Sequence, residues 1–322
     1  MMRIVDFHCD TASELYLQKL DLTQNPLSVD LARAREFSAY VQVAAYFCPP
    51  ELSDEEGYTY ITQLSRHFTQ LTARCGIPLV TDRKALEDAV TRGIPAFVPA
   101  VEDSRILAGK PERADALFAR GVRIATLTWR DEGVIGGSWN THTGLTAFGK
   151  EAVMRFFELG ILPDVSHASV PAFWDVVRLS KQAQKPFIAS HSNAFALTPH
   201  CRNLTDAQIR AVGDAGGIIG VNFNPPFLSA SDRADMGDIC AHVRYLMNTG
   251  GERTIVLGTD FDGIESLPEG IGSIADFPTL YLYMKQNGFT PREIEALFFE
   301  NGYRFLQENL PTKPQTQKGV LL

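Results

Sequence analysis

Histidine and carboxylate side chains lie two residues apart in a short segment near the start of the chain, Asp6-Phe7-His8-Cys9-Asp10-Thr11. The β-branched run before it indicates the end of a strand. Because strand side chains alternate between faces, Asp6, His8 and Asp10 share one face, where an imidazole and a carboxylate can both reach one cation. His-x-Asp is a weak motif by itself, since a solvated histidine beside a capping aspartate has the same spacing. Its interpretation as a metal site depends on what the other strands carry.

Residues of the same types directly follow four other apolar runs. They are Glu102 after 94–101, His167 after 161–166, His191 after 186–190, and Asp260 after 254–259. Two histidines and a carboxylate are typical catalytic zinc ligands, and here there are more ligands than one zinc needs. A shared carboxylate joining two metals about 3.5–4 Å apart would use them all. Glu102 is the natural bridge, because its strand lies between the two histidine groups.

The elements that must position these residues are eight apolar runs that alternate with helical patterns. The runs are 3–9, 41–48, 94–101, 122–129, 161–166, 186–190, 216–223 and 254–259. Continuous hydrophobicity is typical of parallel strands buried on both faces. Capping residues and glycine or proline stops delimit helices, which we expect at 84–92, 111–120, 150–159, 171–184, 205–216 and 290–306.

This alternation predicts an α/β protein with a single-domain (β/α)8 TIM barrel, whose chemistry would collect at the carboxyl ends of its strands. The barrel would occupy residues 1–310, followed by a C-terminal tail over 311–322. A doubly wound sheet is the alternative, but it rarely needs eight such regular units.

Composition and charge limit the partners and the compartment. The chain of 322 residues is 45% hydrophobic and carries a net charge of −8, so nucleic acid and anionic membranes are disfavoured as partners. The sequence contains no apolar run long enough to span a membrane and no apolar leader after Met1. Its five widely spaced cysteines include no Cys-x-x-Cys motif, which favours reduced thiols. We therefore expect a cytoplasmic protein.

Over nearly its whole length the chain resembles the membrane (renal-type) dipeptidases, peptidase family M19 of the zinc-dependent amidohydrolase superfamily. The motifs that carry the resemblance are Asp6-x-His8-x-Asp10-Thr11, Val101-Glu102, Thr126-Leu127-Thr128, Gly144-Leu145-Thr146-x-Phe148-Gly149, Asp164-x-Ser166-His167, Ser190-His191-Ser192, Arg202-Asn203, Val221-Asn222-Phe223 and Asp260-Phe261-Asp262-Gly263. The resemblance implies two Zn²⁺ ions per chain. His8, Asp10 and Glu102 would hold one ion, and Glu102, His167 and His191 would hold the other.

The resemblance also implies a reaction. A hydroxide that bridges the two zinc ions would attack the peptide bond of a small dipeptide, and Asp260 would shuttle the proton to the leaving amine. Arg202 matches the family arginine that binds the substrate's C-terminal carboxylate, which a planar guanidinium can hold with two parallel hydrogen bonds. Some members prefer L-Xaa-D-Xaa substrates, and a homodimer is plausible by resemblance. Asp6 and Asp164 would either orient ligand histidines or form salt bridges at strand ends.

Two positions depart from the animal members of the family and bear on substrate choice. Trp129 stands where those members carry a histidine that contacts substrate, and His142 in the following loop is a candidate replacement. Asn224 stands where they carry a tyrosine. A second interpretation is therefore hydrolysis of another small amide, ester or lactone. A third is a non-catalytic barrel scaffold, which the presence of all five ligands and Asp260 disfavours.

Overall fold

A curled parallel sheet surrounded by helices forms the centre of the molecule in this computed structural model, which describes residues 2–231 and 233–312. Its seven strands are β1 (Arg3–Cys9), β2 (Ala39–Phe47), β3 (Ala96–Glu102), β4 (Ile124–Thr126), β5 (Leu162–Asp164), β6 (Ile219–Val221) and β7 (Ile255–Leu257). Their order in the sheet is β5-β4-β3-β2-β1-β7-β6, with parallel neighbours throughout. Seven of the eight predicted strands are thus confirmed.

The remaining predicted strand, 186–190, closes the sheet into a ring through isolated bridges. Ile188 bridges to Asp164 at the end of β5, and Ala189 bridges to Ile219 at the start of β6. The backbone N–H of Val165 donates to the Ile188 carbonyl at 2.8 Å, and that of Ala189 donates to the Ile218 carbonyl at 3.0 Å. Seven strands and this bridging segment form the predicted (β/α)8 barrel.

Helices cover the outside of the sheet. They are α1 (Thr11–Gln18), α2 (Leu31–Ala34), α3 (Asp54–Arg74), α4 (Arg83–Arg92), α5 (Glu112–Ala119), α6 (Ala147–Leu159), α7 (Val170–Ala183), α8 (Asp206–Asp214), α9 (Pro225–Leu228), α10 (Met236–Gly250), α11 (Phe277–Gln286), α12 (Pro291–Glu295) and α13 (Asn301–Asn309). The predicted capping holds at α4, where the Asp82 side chain accepts from the backbone N–H of Ala85 and Gly93 ends the helix in the left-handed region.

The last predicted helix is one continuous element in the sequence interpretation but three in the structure. A π-helical turn, Ala296–Glu300, separates α12 from α13. Three consecutive apolar side chains, those of Leu297, Phe298 and Phe299, are buried in this turn.

Residues 313–322, most of the predicted tail, lie outside the described residues, so the proposed boundary at position 310 stays a prediction. Among the described residues, no helix combines the length and the hydropathy that crossing a membrane requires.

Candidate metal centre

The Glu102 carboxylate lies at the centre of a buried cluster and directs its two oxygens towards different histidines. Its Oε2 is 3.4 Å from His8 Nε2, while its Oε1 is 3.0 Å from His167 Nε2 and 3.8 Å from His191 Nε2. Asp10 Oδ2 lies 3.4 Å from His8 Nε2, on the Oε2 side. All five predicted ligands therefore converge around Glu102. They meet where β1, β3 and β5 and the bridging segment end. Ligand atoms of His8, Glu102 and His191 lie within 4.8 Å of one another, and so do those of His8, Asp10 and Asp260.

Hydrogen bonds fix the tautomers of two of these histidines. His167 Nδ1 is 3.1 Å from the Trp129 carbonyl oxygen, which can only accept, so Nδ1 carries the proton. The Ser190 hydroxyl donates to Asp164 Oδ2 at 2.6 Å and therefore accepts from His191 Nδ1 at 2.7 Å. In both rings the Nε2 atom is left with its lone pair, as metal ligation requires.

These two lone pairs face each other, because His167 Nε2 and His191 Nε2 are 2.9 Å apart. A proton shared between the rings is disfavoured, since burial lowers the pKa of each well below its ordinary value and nearby positive charge lowers it further. A cation relieves the repulsion. With Zn–N bonds of 2.0–2.1 Å, two nitrogens on one tetrahedral zinc lie about 3.3 Å apart, close to the separation seen.

The pKa shifts of the ionisable groups in the cluster also indicate a site for cations. Burial raises the pKa of Glu102 to about 7, and the neighbouring Asp10 carboxylate adds to the shift. Burial raises the pKa of Asp260 as well. Burial lowers the pKa of His8, but the charges of Glu102 and Asp10 outweigh it and hold that pKa well above its ordinary value. Carboxylates that resist ionisation without a cation nearby are typical of metal sites.

Buried polar atoms without partners lie in the same place. Among the described residues, His8 Nε2, Asp10 Oδ1 and Arg202 Nη2 have no hydrogen-bond partner. Such groups are costly to bury unless a ligand satisfies them. A metal ion would satisfy the first two atoms, and an anion would satisfy the third. The donor set thus fits the two-metal centre that the sequence predicts.

Asp260 lies beside this cluster, with its Oδ1 3.8 Å from His8 Nε2. Its Oδ2 accepts from the Asn222 side-chain amide at 2.9 Å, and its backbone adopts the left-handed region with φ of 63°. Asn222 in turn accepts from the backbone N–H of Asn224 at 2.6 Å. The carboxylate is therefore fixed beside the predicted metal ligands, with Oδ1 towards them.

Asp6 and Asp164 connect neighbouring strand ends. Asp6 accepts from the backbone N–H of Thr259 at 3.0 Å and from its hydroxyl at 2.6 Å, immediately before Asp260. Asp164 accepts from the backbone N–H and the hydroxyl of Ser190, immediately before His191. Within the described residues neither carboxylate forms an ion pair, so the predicted salt bridges are absent there. Asp164 orients the His191 ring through the Ser190 hydroxyl. Asp6 holds Thr259, and with it the backbone that leads into Asp260.

Sequence reasoning missed the residues that orient the site. Ser190, Asn222 and Thr259 are small polar residues next to a predicted ligand or at a strand end. Ser190 and Thr259 end apolar runs and Asn222 directly follows β6, and these positions were the available signal.

The predicted substrate residues differ in burial and in their contacts with the cluster. Arg202 is buried, burial lowers its pKa to about 10, and its guanidinium carbon is 5.5 Å from the centre of the Phe227 ring. Trp129 and Asn224 are half-buried, and the Trp129 ring centre is 6.3 Å from that of His167. His142 is exposed, and in the described part of the chain no hydrogen bond, ion pair or ring contact joins it to the cluster. The roles of these residues stay predictions.

A (β/α)8 barrel with buried histidine and carboxylate ligands at the carboxyl ends of its strands defines a metal-dependent barrel hydrolase. The sequence model of the membrane dipeptidases, peptidase family M19, matches residues 1–318. The chain belongs to this family of metallodipeptidases.

Individual relatives agree with this assignment. An uncharacterised protein encoded in the pqqA 5′ region of Klebsiella pneumoniae is 38% identical over 224 residues, which cover 66% of this chain and 81% of that protein. An uncharacterised dipeptidase of Schizosaccharomyces pombe is 32% identical over 196 residues, which cover 58% of this chain and 46% of the yeast protein. The chain thus spans about half the length of that relative.

Solved structures share the fold almost completely. The crystal structure of the dipeptidase AC, a metallopeptidase of family M19, superposes with a TM-score of 0.88 at 26% identity, covering 97% of this chain and 99% of the other. A metallopeptidase from Rhodobacter sphaeroides, crystallised with a phosphinate mimic of L-Ala-D-Ala, gives 0.87 at 24% identity, covering 96% and 99%.

Proposed function

We propose that this protein is a binuclear zinc dipeptidase that hydrolyses the peptide bond of small dipeptides. The observation that carries the proposal is the position of Glu102, with one carboxylate oxygen facing His8 and the other facing His167 and His191. Membership of family M19 supports the reaction class.

In this proposal His8, Asp10 and Glu102 hold one zinc ion, and Glu102, His167 and His191 hold the other. When bound, the two ions supply a water of lowered pKa and a Lewis acid for the substrate carbonyl. The Nδ1 hydrogen bonds of His167 and His191 keep both rings in the tautomer that ligates through Nε2.

Asp260 is the proton carrier in this scheme. Its Oδ1 faces the cluster, while Asn222 holds its Oδ2, so one oxygen is free to accept a proton from the attacking water. Burial raises the pKa of Asp260, which makes the carboxylate a better base and lets the protonated form serve the leaving amine.

Arg202 binds the substrate's C-terminal carboxylate. Its buried Nη2 has no partner among the described residues, and a carboxylate would satisfy it with a charge-assisted hydrogen bond. The buried guanidinium would accept a free carboxylate one residue beyond the bond that is cleaved. A longer chain has no free carboxylate at that position, so this arrangement favours dipeptides. The Rhodobacter sphaeroides relative was crystallised with a mimic of L-Ala-D-Ala, which supports including L-Xaa-D-Xaa dipeptides as substrates.

The free cysteines of the chain, Cys9, Cys48, Cys75, Cys201 and Cys240, support the expectation of a reducing, cytoplasmic setting.

A matched library of L-Xaa-L-Xaa and L-Xaa-D-Xaa dipeptides tests the proposal with zinc-loaded protein. We expect turnover of dipeptides, and much slower turnover of the same sequences with an amidated C-terminus. Failure on every dipeptide, beside hydrolysis of a small ester or lactone, would support the second interpretation instead.

A further inference from the structure

Two aromatic side chains lie beside the metal cluster and have no role in the scheme above. Phe47 is the last residue of β2, and its register partner on β3 is Glu102. Register partners on adjacent parallel strands point to the same face of the sheet. Phe47 therefore points into the barrel at the carboxyl end of its strand, as Glu102 does. The Phe47 and Trp129 rings pack edge to face with centres 5.0 Å apart, and both side chains are half-buried. They form an apolar wall that is only partly covered.

The order of the sheet places Phe47 across the barrel from the segment that precedes Arg202, with Trp129, after β4, on one side of the barrel between them. Arg202 follows the bridging segment, which lies between β5 and β6. Counting around the ring from that segment, β2 is the strand directly opposite. A dipeptide with its carboxylate on Arg202 and its peptide bond over the cluster therefore directs its N-terminal residue towards Phe47 and Trp129.

We infer that Phe47 and Trp129 form the subsite for the N-terminal side chain, and that the enzyme selects dipeptides whose first residue is apolar. This inference rests on the proposed function. An apolar side chain gains free energy by covering the two rings, whereas a carboxylate loses hydration against them without gaining a partner. A lysine gains a cation–π contact with the rings, but at about 0.5–1 kcal/mol this is smaller than the gain from covering them with a leucine.

The test compares Leu-Ala, Asp-Ala, Lys-Ala and Gly-Ala, each with L-Ala and with D-Ala as the second residue, as substrates of the zinc-loaded protein. We expect kcat/KM for Leu-Ala to exceed that for Asp-Ala and Lys-Ala by roughly 10-fold or more. Trp129→Ala should remove most of this preference by weakening Leu-Ala turnover, while Gly-Ala, which has no side chain to contact the wall, changes less than about 3-fold. Trp129→Phe should retain the preference, and Phe47→Ala should lower it in the same way as Trp129→Ala.

The Trp129 substitutions keep the backbone carbonyl that orients His167, so zinc content should stay at the wild-type level. Wild-type protein that prefers Asp-Ala or Lys-Ala would overturn the inference but leave the dipeptidase proposal intact. Equal losses on Gly-Ala and Leu-Ala in the Trp129 variants would overturn it too. Wild-type protein that hydrolyses none of the four would instead contradict the proposed function.

Discussion

His167 and His191 bring their Nε2 atoms to 2.9 Å from each other while both Nδ1 atoms are engaged in hydrogen bonds. Two imidazoles that present lone pairs to one point are arranged for a cation. His191 depends on Ser190 for this arrangement, because the Ser190 hydroxyl connects its Nδ1 to Asp164.

Ser190→Ala should therefore weaken metal binding. Loss of the hydroxyl frees the His191 ring to rotate or change tautomer, and loss of such an outer hydrogen bond typically costs roughly 10- to 100-fold in metal affinity. Competition with a chromogenic chelator measures the change. Ser192→Ala is the matched control, since Ser192 is also buried beside His191, and among the described residues its side chain hydrogen-bonds the Ser166 hydroxyl at 3.4 Å rather than the imidazole. Equal affinities in the two variants would contradict the role given to Ser190.

Asp260→Asn should keep the metal and lose turnover. The amide has nearly the same shape but cannot accept the proton, and loss of a general base commonly costs about 10²–10⁴-fold in rate. The test is steady-state kinetics on a dipeptide, with the zinc content measured on the same sample. Full activity of this variant would show that another group carries the proton.

Arg202→Met should raise KM for dipeptides without changing zinc content. A lost charge-assisted contact to a carboxylate is worth about 1.5–3 kcal/mol, or roughly 10- to 150-fold. A dipeptide amide serves as the internal control, because it has no carboxylate to bind. The variant and the wild type should act on it at the same low rate, and a further loss on the amide would point to a structural role.

Gly263→Ala should disturb the half of the site that contains Asp10. A Cβ at position 263 would lie 2.2 Å from Asp10 Oδ2 and 2.8 Å from Asp260 Oδ1, so both carboxylates must shift. We expect zinc content to fall towards about one ion per chain, with activity lost. Gly272→Ala is the control, because a Cβ there meets its nearest atom at 3.5 Å, an ordinary contact. Unchanged zinc binding in Gly263→Ala would mean that Asp10 is not a ligand.

The barrel could be predicted from the sequence, and the candidate ligands could be selected, because both depend on local sequence features. An apolar run that ends in a histidine or a carboxylate is visible without a structure, as at Glu102 and His191. The short bridging segment at 186–190 was predicted as a strand because burial sets its composition, although only Ile188 and Ala189 form bridges. The π-helical turn at 296–300 could not be predicted, because its apolar pattern is also compatible with a continuous helix.

Contacts between distant segments could not be predicted in the same way. The packing of Phe47 against Trp129 joins residues 82 positions apart in numbering, and only Trp129 was a candidate site residue from the sequence. Similarly, Asn222 holds Asp260 through the alignment of β6 and β7, which depends on register rather than on local composition.

Zinc analysis of the purified protein tests the central claim most directly. After zinc loading and exhaustive dialysis, we expect about two zinc ions per chain in the wild type, and substantially fewer in Glu102→Gln, because the bridging carboxylate serves both ions. Wild-type protein that retains no zinc, or a Glu102→Gln variant that retains as much as the wild type, would contradict the proposal that Glu102 joins two metal ions.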